Sequence, residues 1–335
     1  MTNRPIVAVL LAPAMREMML TKEAQARLAD VAEVRIHDAA VDAAALPKLL
    51  DGASAALTGW GTPPLTAEIL AAHPDLRLVA HSAGSIRKLV PLDAVAEGRP
   101  RVTHAAQFIA AAVAEFVIAQ TLSVLRSPHR HDAGMKAGEG WFDLRERYRG
   151  RLLGAMTVGI VGAGYVGRAV IALFKAFGCR VLVNDPQLTA ERVQALGVEI
   201  TSLDDLLKSC DVISLHAPAL PETERMIGAH EFALLRDGAL FINTARSLIV
   251  DQQVQFEALR SGRFNAILDV FDIEPLPPDD PLRGLPNVWL SPHAAGHSAD
   301  TYALQGGAAV DDIARFLRGE PLRHEVSPAM LATMA

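Results

Sequence analysis

The stretch AMTVGIVGAGYVGRAVIALFKAFGCRVLVNDP, residues 155–186, carries the strongest structural signal in the chain. A short β-branched run, Thr157–Val161, leads into the motif GAGYVG at residues 162–167, and apolar residues at helical spacing follow it. This pattern predicts a strand, a tight glycine turn and a helix whose first free N–H groups can face a phosphate. The simpler alternative is a glycine-rich turn that binds no ligand.

Each glycine of this motif has a separate task. Gly162 permits the tight turn, Gly164 lets a pyrophosphate approach the backbone, and Gly167 lets the helix pack close to the sheet. A second predicted strand, residues 179–184, ends in Asp185, which lies 23 residues after Gly162. A carboxylate there accepts hydrogen bonds from the adenosine ribose and repels the 2′-phosphate of NADP. The stretch therefore predicts a dinucleotide site that prefers NAD.

Composition bounds the class of protein and its partners. The 335 residues are 50% hydrophobic and 21% charged, with a net charge of −6, and the chain is long enough for two domains. Because basic residues are not in excess, nucleic acid is not an expected partner. Cys179 and Cys210 are the only cysteines, and we expect buried reduced thiols, no metal site and a cytoplasmic location.

Two apolar segments raise the question of a membrane. The N-terminal run MTNRPIVAVLLAP is followed closely by charged residues, so we expect a first strand and no signal peptide there. The longest apolar stretch, residues 105–125, is interrupted by Gln107, Glu115 and Gln120. We therefore expect a helix buried between domains or subunits, and no membrane partner.

Strand-like and helix-like segments alternate along most of the chain. Residues 6–103 contain five predicted strands, and the alternation resumes after Asp185, which predicts parallel sheets with helices on both faces. We expect a discontinuous substrate domain, residues 1–103 plus 297–335, and a dinucleotide-binding domain, residues 104–296.

Two segments lie outside this alternation: a charged stretch in the middle of the chain and a helix near its end. The charged segment between Arg126 and Arg151 mixes His and Arg with Trp141 and other aromatic residues, and we expect a long irregular loop that acts as a functional or interaction arm. A final helix, residues 299–318, is expected to return to the first domain.

Three segments place polar groups where predicted strands end. They are Asn243-Thr244-Ala245-Arg246, the stretch LDVFDIEP at residues 268–275, and Ser291-Pro292-His293. Ligands of such sheets bind beyond the carboxyl ends of the strands. Arg246 offers a planar cationic fork for a carboxylate and a keto oxygen, and His293 can exchange a proton near neutral pH. Glu274 could hydrogen-bond the imidazole and stabilise its charged form, although each residue alone also fits an ordinary structural role.

A Ser/Gly loop follows the fourth predicted strand, and its backbone N–H groups could bind a carboxylate. The candidate residues are Ala83, Gly84 and Ser85. Arg87 is a candidate second cation that would favour a substrate with a further anionic group, and a solvated loop arginine is the alternative.

In their order and spacing, these segments resemble the D-isomer-specific 2-hydroxyacid dehydrogenase family, and the resemblance covers nearly the whole chain. Further matching segments are His216-Ala217-Pro218 with Thr223, and the late Gly319-Glu320-Pro321. The resemblance implies an α/β protein with two doubly wound parallel-sheet domains, a Rossmann NAD-binding domain and a flavodoxin-like substrate domain. It also implies a homodimer, joined through the NAD-binding domain, that acts on a 2-hydroxy or 2-keto acid.

The resemblance assigns roles to individual positions, with Arg246, Glu274 and His293 as the catalytic set. The implied cofactor-binding residues are Gly162, Gly164, Tyr165, Val166, Gly167, Asp185, His216, Ala217, Pro218, Thr223, Thr244, Ala245, Arg246, Asp269, His293 and Gly296. The implied substrate-binding residues are Ala83, Gly84, Ser85, Arg87, Arg246 and His293. Asp269 is implied to contact the nicotinamide carboxamide.

The sequence also departs from the family pattern. Ser247 and Ala295 stand where the family usually has glycine, and His297 stands where a small residue is common. Residues 85–90, SIRKLV, replace the frequent G-x-D-N-V-D continuation of the substrate loop. This replacement puts a phosphoglycerate substrate in doubt. A dinucleotide-sensing corepressor and a phosphite dehydrogenase remain alternatives, because the same residues serve in both.

Overall fold

The computed structural model describes residues 4–331 and 334. The chain divides into two compact units, Met1–Ile109 with His297–Ala335, and Ala110–Gly296.

Both units are built from parallel strands and helices that alternate along the chain. Among residues 4–331, the strands are β1 (Ile6–Val9), β2 (Glu33–Ile36), β3 (Ala53–Thr58), β4 (Leu78–His81), β5 (Arg101–His104), β6 (Thr157–Val161), β7 (Arg180–Asn184), β8 (Glu199–Ile200), β9 (Val212–Leu215), β10 (Leu240–Asn243), β11 (Asn265–Leu268) and β12 (Val288–Leu290). The α-helices of the same residues are α1 (Pro13–Met19), α2 (Lys22–Val31), α3 (Leu46–Leu50), α4 (Ala67–Ala72), α5 (Leu92–Ala96), α6 (Ala106–Arg126), α7 (Pro128–Lys136), α8 (Trp141–Arg147), α9 (Tyr165–Ala176), α10 (Ala190–Leu196), α11 (Leu203–Ser209), α12 (Ala229–Leu234), α13 (Gln252–Arg260), α14 (Ala299–Leu317) and α15 (Pro328–Leu331).

The first unit contains a five-stranded parallel sheet in the order β2-β1-β3-β4-β5, which is the flavodoxin-like order. Its central strands are apolar on both faces, because helices cover both sides. Val7 and Val9 pack with α2 and α14, whereas Ala8 belongs to the core on the other face. Helix α14 returns to this unit, and its Gly306 leaves room for the backbone of Met19.

The second unit contains a seven-stranded parallel sheet in the order β12-β11-β10-β9-β6-β7-β8. The chain reverses direction across the sheet between β6 and β9, and this switch point is where doubly wound sheets bind ligands. The expected fold class is therefore confirmed. The two-residue strand β8 was not predicted, because Glu199 and Ile200 are too short a segment to show a period.

The prediction of an irregular loop over residues 126–151 was wrong. This segment contains the helices α7 and α8, which contact each other where Gly134 lies against Leu144. Proline at the first position of α7 and a left-handed glycine, Gly138, after its end are ordinary helix start and stop signals. Helices this short and polar bury only Gly134 and Leu144, so the apolar period that marks a helix is missing.

The long apolar segment forms α6, which passes from the first unit into the second. By length and composition it is the one helix of the described residues that could cross a membrane. Its buried positions include Val113, Ala114 and Val117, whereas Glu115 is exposed to solvent. Cys179 and Cys210 are buried free thiols, and burial raises the pKa of Cys210 to about 12.

Candidate active site

The glycine motif forms the turn between β6 and α9. Gly162 has a φ of +90°, and a Cβ there would lie 2.7 Å from the backbone nitrogen of Ala217. A Cβ on Gly167 would lie 2.0 Å from the Gly162 oxygen, so both positions exclude any side chain. Around Gly164, by contrast, a Cβ would meet no atom within 4 Å. The turn is therefore closely packed on its protein side and open at Gly164, where a pyrophosphate is expected.

Asp185 follows β7 and fastens this turn. One carboxylate oxygen accepts a hydrogen bond from the Ala163 N–H at 2.6 Å, and the other accepts one from the Gln187 N–H at 2.8 Å. A carboxylate has about four acceptor positions, so Asp185 keeps capacity for ribose hydroxyl groups. Tyr165 and Val166 begin α9, and the Tyr165 ring lies 5.2 Å from the guanidinium carbon of Arg168.

Two buried polar atoms near the strand ends have no hydrogen-bond partner among the described residues. They are Nδ1 of His216, after β9, and Oγ1 of Thr244, after β10. A buried polar atom without a partner is costly, so both atoms mark places for an additional polar group. Burial lowers the pKa of His216 to about 3, and its ring is therefore neutral. Together with the open Gly164, these atoms fit a bound dinucleotide.

The segment after β9 is closed by Thr223. Its hydroxyl donates to the Pro218 carbonyl at 2.6 Å and accepts from the Leu220 N–H at 2.9 Å. Thr223 was predicted to bind the cofactor, but its hydroxyl is engaged within its own loop. Ala217 is buried against Gly162, and the backbone at this point lines the glycine turn.

Arg246 is presented by a turn that Asn243 holds after β10. The Asn243 side chain accepts from the Ala245 N–H at 3.0 Å and donates to the Arg246 carbonyl at 3.1 Å. Surrounding protein atoms lower the pKa of Arg246 below its ordinary value, and the Glu274 carboxylate opposes this shift. Since the side chain remains solvent-exposed, the guanidinium stays a cation at neutral pH.

Glu274 and His293 form a hydrogen-bonded pair. Oε2 of Glu274 lies 2.8 Å from Nδ1 of His293, and Oε1 accepts the Phe271 N–H at 3.0 Å. Burial would raise the pKa of Glu274, but the hydrogen bonds from His293 and Phe271 and the positive charge of Arg246 lower it below its usual value. Glu274 is thus an anion at neutral pH, and it leaves Nε2 of His293 to exchange a proton with a ligand.

The loop that carries His293 is held by Asp269. This carboxylate is fully buried, and it accepts hydrogen bonds from Ser291 Oγ at 2.6 Å and from the N–H groups of Ala294 and Ala295 at 2.8 and 2.9 Å. His293 itself has a φ of +53°, in the left-handed region that costs a non-glycine residue about 1 kcal/mol or more. The bonds to Asp269 on both sides of His293 offset this strain. Gly296 ends the unit directly after this loop.

Three neighbouring strands therefore bring the predicted catalytic set together. Arg246 follows β10, Glu274 follows β11 and His293 follows β12, and these strands are adjacent in the sheet. Within the described residues, no group of three or more His, Cys, Asp or Glu side chains could hold a metal ion.

The predicted substrate loop lies in the first unit, after β4. Ala83 is buried, Gly84 and Ser85 are half-buried, and the loop backbone is bonded to β5 through the Ala105 N–H, which donates to the Ala83 carbonyl at 2.8 Å. The Arg87 side chain is exposed, and it donates to the carbonyls of Leu331 and Met334 in the C-terminal segment. Its role as a second substrate cation stays a prediction, and these contacts favour a structural role instead.

A parallel sheet with a glycine turn at its switch point, an acidic residue after the next strand and an Arg/Glu/His set defines an NAD-dependent dehydrogenase. Residues 118–295 match the family described as D-isomer specific 2-hydroxyacid dehydrogenase, NAD binding domain. A glyoxylate reductase of Korarchaeum cryptofilum is 35% identical over 79% of this chain and 80% of its own length. The chain belongs to the D-isomer-specific 2-hydroxyacid dehydrogenase family.

Further comparisons agree with this assignment. A D-3-phosphoglycerate dehydrogenase of Methanocaldococcus jannaschii is 30% identical over 88% of this chain, which spans only 55% of that protein. Among solved structures, a phosphoglycerate oxidoreductase from Rhizobium etli superposes with a TM-score of 0.80 at 29% identity, covering 96% of this chain and 98% of that one. A D-2-hydroxyisocaproate dehydrogenase superposes with a TM-score of 0.79 at 26% identity, covering 96% and 99%.

The protein is therefore an oxidoreductase that transfers a hydride between NAD(H) and a D-2-hydroxy acid/2-keto acid pair. The predictions of family, reaction class and cofactor are confirmed. The corepressor and phosphite dehydrogenase alternatives are not favoured by these comparisons.

Sequence reasoning missed three structural residues around these loops. It assigned Asp269 to the cofactor and did not foresee its bonds to the His293 loop, and it gave no role to His81 or His104. A usable signal was present, because His81 and His104 occupy the last positions of two neighbouring strands.

Proposed function

We propose that Arg246, Glu274 and His293 are the catalytic residues, and that the protein reduces a small 2-keto acid to the D-2-hydroxy acid. The observation that carries this proposal is the 2.8 Å bond between Glu274 and Nδ1 of His293, on strands adjacent to the one that presents Arg246. It couples a proton donor to a fixed anion beside a permanent cation, which is what carbonyl reduction requires.

The proton balance assigns each side chain a role. When bound, NADH supplies the hydride that the keto carbon accepts. Arg246 binds the substrate carboxylate and polarises the keto oxygen, and His293 gives that oxygen a proton through Nε2. Glu274 holds Nδ1 and stabilises the imidazolium before transfer. In the oxidation direction His293 takes the proton back as a base.

The loop Ala83–Ser85 is proposed to bind the substrate carboxylate through its N–H groups. Glyoxylate is the first substrate to test, because two relatives of similar identity, 35% and 34%, are named glyoxylate reductases. Phosphoglycerate is less favoured, because residues 85–90 depart from the family's usual loop. A panel of 2-keto acids and phosphite, assayed with NADH or NAD and with the NADP forms, tests this proposal. Lack of turnover with every keto acid would overturn it.

We further propose a preference for NAD, a homodimer and a cytoplasmic location. Asp185 supports the first, because its carboxylate repels a 2′-phosphate; equal kcat/KM values for the two cofactors would contradict it. Exposed apolar side chains in the second unit support the dimer: Met135, Trp141, Phe142 and Leu152 are 48, 63, 70 and 70% exposed. Light scattering at micromolar concentration should report twice the chain mass. The location rests on the reduced thiols alone.

A further inference from the structure

Two neighbouring strands of the first unit end in buried histidines. His81 closes β4 and His104 closes β5, and the two are direct partners in the register of the sheet. They are only 5% and 4% exposed. Histidine is not usually buried so completely, and a buried ring must satisfy its nitrogens with partners inside the protein. The partners of these rings therefore indicate what the histidines do.

Both rings contact the backbone of the loop Ala83–Ser85. Nδ1 of His104 lies 3.3 Å from the Gly84 carbonyl oxygen, and the Ser85 backbone raises the pKa of the His81 ring in the manner of a hydrogen-bond acceptor. The Ala105 N–H donates a hydrogen bond to the Ala83 carbonyl at 2.8 Å. Three consecutive residues of the loop thus face the ends of the two flanking strands: Ala83 and Gly84 accept hydrogen bonds, and Ser85 acts on the His81 ring.

The N–H groups of the loop remain available to a ligand. Among residues 4–331, no acceptor forms a hydrogen bond with the N–H of Ala83, Gly84 or Ser85. Consecutive free N–H groups form a concave site for a carboxylate, provided that the backbone is held in one conformation. The carbonyls of Ala83 and Gly84 share rigid peptide groups with the N–H groups of Gly84 and Ser85, so hydrogen bonds to these carbonyls supply that restraint.

Both rings are neutral at physiological pH. Burial, together with the neighbouring His104, lowers the pKa of His81 to about 4, and burial lowers the pKa of His104. Titratable groups nearby include His324, which acts on His104, and Asp312, which bonds to His324 at 2.9 Å. A neutral ring adds no cation behind the loop, so its contribution is directional: one N–H donor and one acceptor nitrogen. For His81, the Thr58 hydroxyl lies 3.0 Å from Nδ1.

We propose that His81 and His104 are positioning residues for substrate binding, which hold the backbone of Ala83–Ser85 so that its N–H groups point at the substrate carboxylate. This inference rests on the proposed function of the loop. It predicts that loosening either ring weakens binding of the keto acid without affecting the chemistry at His293 or the binding of NADH.

The primary test compares His104→Leu with His104→Asn. Leucine fills the space without a donor, whereas the asparagine amide places an N–H close to the position of Nδ1. With glyoxylate and NADH, the leucine variant should raise the KM of glyoxylate by about tenfold, the effect of one lost hydrogen bond, and leave kcat within about twofold. The KM of NADH should not change. His104→Asn should restore most of the affinity for glyoxylate.

His324→Asn is the matched control, because His324 lies beside His104 and its Nδ1 bonds to Asp312. Thr58→Val is a second test that retains the side-chain volume; it removes the partner of His81 and should also raise the KM of glyoxylate. Hydrogen–deuterium exchange of the peptide that contains residues 82–87 provides a readout without substrate, through its hydrogen-bonded amides: the Ser82 N–H, which donates to the Thr58 carbonyl, and the Arg87 N–H, which donates to Ser85 Oγ. The exchange should be faster in His104→Leu and Thr58→Val than in the wild type and the control.

The possible failures are distinguishable. If the wild type reduces no keto acid, the proposed function fails, while the exchange experiment still tests the restraint of the loop. If the wild type is active but His104→Leu and Thr58→Val keep its KM and its exchange rate, the positioning role is wrong. An equal rise in KM for His104→Leu and His104→Asn would also overturn it, since packing rather than the hydrogen bond would then be responsible.

Discussion

Replacing Asp269 by asparagine tests whether a buried charge holds the His293 loop. The two carboxylate oxygens accept from three donors: the Ser291 hydroxyl and the N–H groups of Ala294 and Ala295. Asparagine has one acceptor oxygen and one amino group. If the oxygen takes the place that Ser291 and Ala294 share, the amino group must face the Ala295 N–H, donor against donor.

The magnitude follows from these contacts. A hydrogen bond to a charged group contributes about 1.5–3 kcal/mol, and a buried N–H without an acceptor costs about 1–3 kcal/mol. We therefore expect Asp269→Asn to lower the free energy of unfolding of the second unit by about 3 kcal/mol, which lowers Tm by about 6 °C or more. Because the left-handed conformation of His293 would lose its support, kcat should fall by about 10- to 100-fold.

Thermal unfolding without ligands and steady-state kinetics with NADH and glyoxylate measure the two effects. Asp272→Asn is the matched control, since Asp272 lies in the same segment but is exposed. If Asp269→Asn keeps the wild-type Tm and kcat, the loop does not depend on this charge. If only the KM of NADH rises, Asp269 acts on the cofactor, as the family resemblance implies, and does not position His293.

Three further predictions concern proton transfer, the cofactor turn and acid stability. His293→Ala should lower kcat by a factor of about 10² to 10⁴, and a normal kcat would remove His293 from the catalytic set. Glu274→Gln should move the alkaline limb of the pH profile of keto-acid reduction toward acid, and an unchanged profile would remove Glu274 from the set. Gly164→Ala should keep the wild-type Tm, because space is open around its Cβ, but should bind NADH weakly in fluorescence titrations, because the methyl group occupies the place of the pyrophosphate. Gly162→Ala should lower Tm as well as NADH affinity, and equal Tm values for the two variants would contradict the packing of the turn. Folding lowers the pKa of His81 from an ordinary 6.5 to about 4, so the contribution of the neutral ring to the free energy of unfolding is complete above pH 6.5 and decreases by about 3 kcal/mol as the pH falls toward 4. Urea unfolding at about pH 7 and about pH 4.5 should show this loss of stability in the wild type and a smaller loss in His81→Asn.

The local sequence determined the elements and most of the strand ends. The apolar run of β6, the glycine motif and the amphipathic face of α9 are each specified within a few residues, so their order along the chain is legible without any tertiary information. The polar groups Arg246, Glu274 and His293 follow strands, and parallel strands present their carboxyl ends at one edge. This is why both the fold class and the candidate catalytic set could be predicted.

The hydrogen bonds and contacts around the loops depend on which strands are neighbours in the sheet. Pairing between segments distant in the sequence determines those neighbours. The hydrogen bonds from the His293 loop to Asp269 require β11 beside β12, and the contacts of His81 and His104 with the substrate loop require β4 beside β5. Likewise, Arg87 is drawn to the C-terminal segment by contacts more than 240 residues away in the chain. Helices α7 and α8 were missed because they bury too little apolar surface to leave a periodic pattern. A carbonyl or carboxylate accepts a hydrogen bond from whichever donor folding brings within about 3 Å, and the local sequence does not determine which donor that is.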